Sequence, residues 1–169
     1  MWLFPHGYTN GSANQQPKIT MKSLSHSDRM RSVKRAHTTP ELAVRRLLHR
    51  MGLRYRLHAK NLPGTPDLVF SRRQMVVFVH GCFWHRHPGC RYASTPKSRL
   101  DYWLPKFAAN LERDARKSAQ LEKLGWKVVV VWECETKQAK SLEARLRGDF
   151  GLPAEPEPSP QGDGEYSDQ

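Results

Sequence analysis

The chain has 169 residues, 28 of them Lys or Arg against 16 Asp or Glu, giving a formal net charge of +12 at pH 7. A domain of this length buries roughly two-thirds of the surface of its unfolded chain and needs no disulfide scaffold; five Trp, six Phe and five Tyr exclude disorder throughout, although only 38% of residues are apolar. No apolar run approaches the roughly 20 residues that span a bilayer, and no signal-type stretch opens the chain, so a soluble intracellular protein without a membrane partner is expected.

The charge is unevenly placed. Residues 151–169 hold five acids (Glu155, Glu157, Asp163, Glu165, Asp168) and no Lys or Arg, which leaves residues 1–150 with 28 basic against 11 acidic side chains, a net of +17. Such an excess marks a candidate polyanion binder, with nucleic acid the first partner to consider. The Cys count is three. An odd set of intracellular thiols more often serves a metal or catalysis than disulfides.

Residues 1–23 are rich in Gly, Asn, Gln and Ser without periodicity, and residues 151–169 are rich in Pro, Gly and acid. Disordered tails are predicted at both ends, around one domain over residues 24–150. The segment SHSDRMRSVKR, from Ser25, reads as either a basic helix or a solvated arm. TTPELAVRRLLHRMG then predicts a helix from Thr38 to Gly52, with a capping Thr, Pro40 in the first turn and Gly52 as the stop. Strands follow at Arg54–Leu57 and Pro66–Phe70, separated by the turn-forming NLPGT, and a third at Gln74–His80 whose Val76–Val79 run suits a sheet covered on both faces. Leu104–Leu124 reads as a long amphipathic helix with Leu104, Phe107, Leu111, Ala115, Ala119 and Leu121 along its buried side. Lys127–Trp132 is a further buried strand, and a helix from about Thr136 to Leu146 closes the domain. The simplest packing of this order is an α/β fold, a mixed central sheet flanked by helices.

The segment HGCFWHRHPGC, residues 80–90, concentrates Cys82, His85, His87 and Cys90, and Cys134 follows a strand. Zinc takes four N or S ligands in a tetrahedron, so Cys82, His87, Cys90 and Cys134 would fill one structural site with every Cys in the chain. His85 could replace His87, and three buried, inert Cys are the competing interpretation. Asp67 opens an apolar strand, where a carboxylate can hold a divalent cation for phosphodiester hydrolysis, although Pro66-Asp67 also reads as a turn.

LPGTPDLVF, VVFVHGCFWHRHPGC, DYWLPKFAANLERDARK and LEKLGWKVVVVWECE resemble, in order and spacing, the very short patch repair (Vsr) DNA mismatch endonucleases, over about Ser27 to Glu135. The resemblance implies a restriction-endonuclease-like fold, a structural zinc, catalytic magnesium, and nicking beside a T:G mismatch left by deaminated 5-methylcytosine. It further implies a bacterial, cytoplasmic monomer acting on nucleoid DNA, with mismatch-repair proteins as additional partners. Residue by residue, Asp67 matches the magnesium-binding Asp and His85 the catalytic His that activates water. Glu41, His80 and Asp114 match supporting polar positions, and Cys82, His87, Cys90 and Cys134 match the zinc ligands. Phe83, Trp84 and Trp103 match aromatics that wedge into the DNA stack, although on pattern alone Trp103, in the amphipathic DYWLPKF, also reads as a core residue. Val79 stands where the family form has Thr, a position whose backbone carbonyl touches magnesium, and HRHPGC is one residue longer than the family's HHHHC.

The residues support this independently. Many restriction-type nucleases place an acid-x-Lys on the strand after the metal-binding Asp, but Gln74–His80 has neither acid nor Lys. Another group must activate the nucleophile, and an imidazole, which ordinarily titrates near neutral pH, suits the task. Glu41 also fits a T-x-x-E capping box with Thr38, and Asp114 fits a surface ion pair. Arg45, Arg46, Arg50, Arg54, Arg72 and Arg73 are expected to contact phosphates, with affinity falling steeply as salt rises. Two other functions fit the same residues: a nuclease of this fold that cuts both strands of undamaged DNA, and a zinc-stabilised DNA-binding module without catalysis.

Overall fold

The structure, a computed structural model, describes residues 36–154. The predicted basic segment after Ser25 and nearly all of both predicted tails lie outside these residues. Helix α1 spans Thr39–Arg50 and is closed at its start by a reciprocal capping box: Thr38 Oγ1 accepts from the Glu41 N–H at 3.3 Å while Glu41 Oε2 accepts from the Thr38 N–H at 3.4 Å. Strands β1 (Arg56–Leu57), β2 (Leu68–Phe70) and β3 (Met75–His80) follow, then helix α2 (Leu100–Lys123), strand β4 (Lys127–Trp132) and helix α3 (Ala139–Asp149).

The four strands form one sheet in the order β1-β2-β3-β4, antiparallel except for the parallel β3–β4 pair. The mixed sheet flanked by helices is therefore as predicted. Because side chains alternate along a strand, each strand feeds both faces. Leu68, Phe70, Met75, Val77, Val129 and Val131 pack under α1 and α3. Val69 and Val76 pack with Leu121 of α2 on the other face. The chain remains packed as far as Leu152, whose N–H donates to Arg147 O at 2.8 Å.

The boundaries differ from expectation where a terminus competes with pairing. β1 and β2 are shorter than predicted, since β1 is an edge strand and Pro66 offers no N–H to a ladder. α2 begins at Leu100, four residues early, and carries Pro105 in its second turn. Its buried side also differs: Trp103, Phe107 and Leu121 are buried, whereas Leu104, Leu111, Ala115 and Ala119 face outward. The inward stripe continues through Asn110, Asp114, Lys117 and Ser118, all partly buried. Those polar residues face the site, so the most apolar stripe was the wrong one to follow.

Candidate active site and Cys/His cluster

Parallel pairing of β3 with β4 aligns His80 with Trp132, so Cys82 and Cys134 each follow by two residues at the same end of the sheet. Glu133 N–H donates to His80 O at 2.9 Å and extends this register past the strands. The loop after β3 then turns back, with His87 N–H donating to Cys82 O at 3.1 Å and Cys90 N–H to His87 O at 3.3 Å. One ligand atom from each of Cys82, His87, Cys90 and Cys134 lies within 4.8 Å of all the others. His87 Nδ1 is 3.7 Å from Cys82 Sγ and 3.3 Å from Cys134 Sγ. Tetrahedral zinc, with bonds of about 2.3 Å to sulfur and 2.0–2.1 Å to nitrogen, sets edges of about 3.5–3.8 Å, so the donor set and its size suit that ion. Burial pushes the Cys82 thiol up to about 12 and raises Cys134 as well, a cost to ionisation that a bound cation reverses by taking thiolates. His87 is further held by stacking on Trp132 at 4.2 Å.

His85 is not in this cluster. Arg86, between the two histidines, adopts a left-handed backbone with φ 53°, and the chain reverses there, sending the two rings to different surroundings. His85 stacks on His80 with centroids 3.9 Å apart and an interplanar angle of 11°, and its Nδ1 lies 2.5 Å from Asp114 Oδ2. Burial works against the ionised Asp114 carboxyl, but the hydrogen bond and charge of His85, with His80 and Arg113, outweigh it and hold its pKa below the usual carboxylate value. An ionised Asp114 is an acceptor only, so His85 Nδ1–H donates to Asp114 Oδ2, leaving Nε2 of His85 as the acceptor nitrogen. Burial and the neighbouring His85 lower the His80 pKa to about 4, so His80 is neutral at pH 7.

Asp67 sits one residue before β2, and its Oδ2 accepts from the Val79 N–H at 2.7 Å, which ties it to β3. Burial raises its pKa, and the nearby Glu41 carboxyl raises it further against the Val79 N–H, His58 and Arg45. Glu41, 2% exposed, pairs closely with Arg45, and its Oε1 lies 3.3 Å from His58 Nε2. One atom each of Glu41, His58 and Asp67 falls within 4.8 Å of the others. Two partly desolvated carboxylates brought together in this way fit a hard divalent cation. A cavity of ≈ 430 Å³ joins His58 and Asp67 of this group to the His80–His85–Asp114 group and is also lined by Val79, Arg113 and Lys117, while Glu41 lies buried behind Asp67's side of it.

Phe83 and Trp84 follow Cys82 and are half-buried, their rings 5.1 Å apart and edge to face. Asn110 Nδ2 donates to Trp84 O at 3.0 Å and anchors this loop on α2. Trp103, expected among the wedging rings, is only 4% exposed and packs beneath Phe83 and on Phe107. It supports the half-buried pair rather than projecting beside it. A second correction concerns the basic residues. Arg45 is buried on Glu41, with its guanidinium also 2.9 Å from His58 Nε2, and cannot serve as a phosphate contact. Arg54, Arg72 and Arg73 line a groove at the opposite end of β2 and β3 from the cavity.

Sequence reasoning missed His58, Asn110 and Lys117. The hairpin register was the available signal for His58: Leu57 pairs with Leu68, so the next pair is His58 with Asp67, and His58 N–H donates to Asp67 O at 3.4 Å. Replacing Glu41 with Ala strands Arg45 without its buried counter-charge, and a loss of about 3 kcal/mol is expected from the shift in urea midpoint. An unchanged midpoint would show that the pair contributes nothing to folding.

The family model described as DNA mismatch endonuclease Vsr matches residues 20–91. A type II nicking enzyme of Xanthomonas oryzae, V.XorIIP, is 60% identical over 118 residues, 70% of this chain and 86% of that one. The DNA mismatch endonuclease Vsr of Escherichia coli is 39% identical over 118 residues, 70% of this chain and 75% of that one. Among solved structures, the catalytic domain of the homing endonuclease I-Bth0305I overlays with a TM-score of 0.46 at 18% identity, covering 67% of this chain and 93% of that one.

Proposed function

The chain belongs to the Vsr family of DNA endonucleases, and from that premise we propose that it nicks one strand of duplex DNA beside a T:G mismatch by magnesium-dependent hydrolysis. The observation that carries this reading is the meeting, in one cavity, of Asp67, which has the buried Glu41 carboxylate beside it, with the His85–Asp114 pair. On this reading Asp67 and the Val79 carbonyl hold magnesium, with Glu41 and His58 beside them. The cation supplies charge neutralisation at phosphorus. His85 Nε2 takes the proton of the attacking water, Asp114 fixes the tautomer that makes this possible, and the stacked, neutral His80 holds the ring plane. Arg113 and Lys117 on α2 sit at the cavity wall to meet phosphate oxygens.

Cys82, His87, Cys90 and Cys134 hold a structural zinc that fixes the loop carrying His85. Phe83 and Trp84 open the base stack at the mismatch, where unstacking costs least, and this gives a physical basis for mismatch selectivity. The protein acts as a monomer on DNA. No helix among the described residues is long and apolar enough to cross a membrane.

A labelled duplex with a single T:G mismatch, its fully paired control, and magnesium with or without chelator test the reading together. A single nick in the mismatched duplex alone, dependent on magnesium, is expected. Cutting of both strands of the control would assign a restriction-type target, and binding without cleavage would assign a non-catalytic module. Removing residues 155–169 is expected to leave a nick at the same position, because none of the residues assigned to catalysis, metal or the base stack lies in that segment.

A further inference from the structure

At the end of the sheet away from the catalytic cavity lies a groove of ≈ 600 Å³ whose walls include Arg54, Arg56, Arg72 and Arg73. Its lining contains no Asp or Glu, and all four arginines are exposed. They differ in this from Arg45, Arg145 and Arg147, each of which has a carboxylate within ion-pair distance. Among the described residues, none of the four has such a partner. The floor, formed by Leu53, Val69 and Phe70, is buried and apolar. Four uncompensated cations around one concavity create a strong local positive potential, which attracts an anionic segment.

The chain itself supplies one. Arg73, on the groove wall, donates to Phe150 O at 3.0 Å, and Phe150 packs edge to face on Phe70 of the floor at 4.8 Å. Two residues later Leu152 still packs on the same core, so residue 155 follows within five residues of the Phe150 contact with the groove wall. Residues 155–169 then carry five acids and no Lys or Arg. Fifteen residues reach up to about 50 Å when extended, more than enough to cross the groove, and a tethered segment acts at an effective concentration on the order of millimolar.

We propose that the acidic segment 155–169 docks in the Arg54/Arg56/Arg72/Arg73 groove and neutralises it. Docking removes the far end of the sheet as a competing site for polyanions, so DNA backbone is drawn to the cavity end. That consequence rests on the proposed DNA-cleaving function, but the docking does not, and the test separates them by never measuring cleavage.

The full chain carrying Tyr166→p-benzoylphenylalanine is irradiated at low salt and the linked peptides are mapped by mass spectrometry. Links to residues 52–56 and 69–73 are expected. They should fall roughly fivefold or more at about 0.5 M NaCl, in Arg56→Glu/Arg72→Glu, and equally in Glu155→Lys/Glu157→Lys, which leaves the folded domain untouched. Links that land elsewhere, or that survive both charge reversals, would overturn the proposal. So would an Arg56→Glu/Arg72→Glu chain that kept its links while losing affinity for a paired duplex, because the groove would then be a nucleic-acid site.

Discussion

Asp67→Ala and His85→Ala should each lower nicking by on the order of 10³-fold while heteroduplex affinity changes little. The separation is expected because the proposed function assigns binding to phosphate contacts and the Phe83–Trp84 pair, which neither substitution touches. The two variants should fail differently. Asp67 is a carboxylate tied to β3 through the Val79 N–H, and burial raises its pKa, a shift that a bound divalent cation would oppose. Its removal should shift the magnesium concentration for half-maximal rate upward. His85 lies in the other half of the cavity against Asp114, so His85→Ala should keep the magnesium dependence and lose rate alone. Asp114→Asn provides an intermediate case: it keeps the shape but no longer stabilises the Nδ1–H tautomer, and a loss on the order of 10²-fold is expected. Equal loss of DNA binding in all three would mean that these residues hold the fold or the DNA, and the assignment of base and metal ligand would fail.

The fold was legible because its signals are local. The capping Thr38, the apolar Val76–Val79 run and the apolar Val128–Val131 run each report a short-range physical constraint, and the mixed sheet with its helices follows from their order. The α2 face was not legible, because apolar periodicity assumes that a helix buries its most apolar stripe. Here the stripe through Asn110, Asp114 and Lys117 turns inward, since it serves a solvated cavity rather than a core. Leu104 and Leu111 are left outside, 53% and 47% exposed.

Arginine roles failed for a related reason. A count of cations along a helix cannot tell Arg45, buried on Glu41, from Arg46 one residue later on the exposed side. His58 was hidden by its modest setting at the end of a two-residue strand, and only the pairing register places it near Asp67. The two histidines of the loop could not be separated by spacing, because the positive φ of Arg86 decides which way each ring goes. The family resemblance had placed His85 with Asp114 and His87 with the cysteines, and the structure brings those same residues together.

That division gives the remaining large effect. The purified protein should contain one zinc per chain, and Cys134→Ser should remove most of it along with several kcal/mol of stability, because metal binding at a structural site contributes directly to folding. Cys134 is the ligand to change first: it lies two residues after β4, whereas Cys82, His87 and Cys90 come from the segment after β3, so of the four it alone ties that segment to β4. His87→Ala should behave the same way, although its ring also packs on Trp132, and metal content must therefore be measured beside the melting temperature. His85→Ala should keep its zinc and its melting temperature, since that ring faces Asp114 and His80 instead. Lowering the pH should release the metal in the wild-type chain as protons compete for thiolate and imidazole, and a chelator at neutral pH should lower the melting temperature in the same direction. Metal analysis that finds no zinc in the wild-type chain would remove the structural site altogether. Zinc lost from His85→Ala but retained in His87→Ala would exchange the two histidines and take the proposed base away with it.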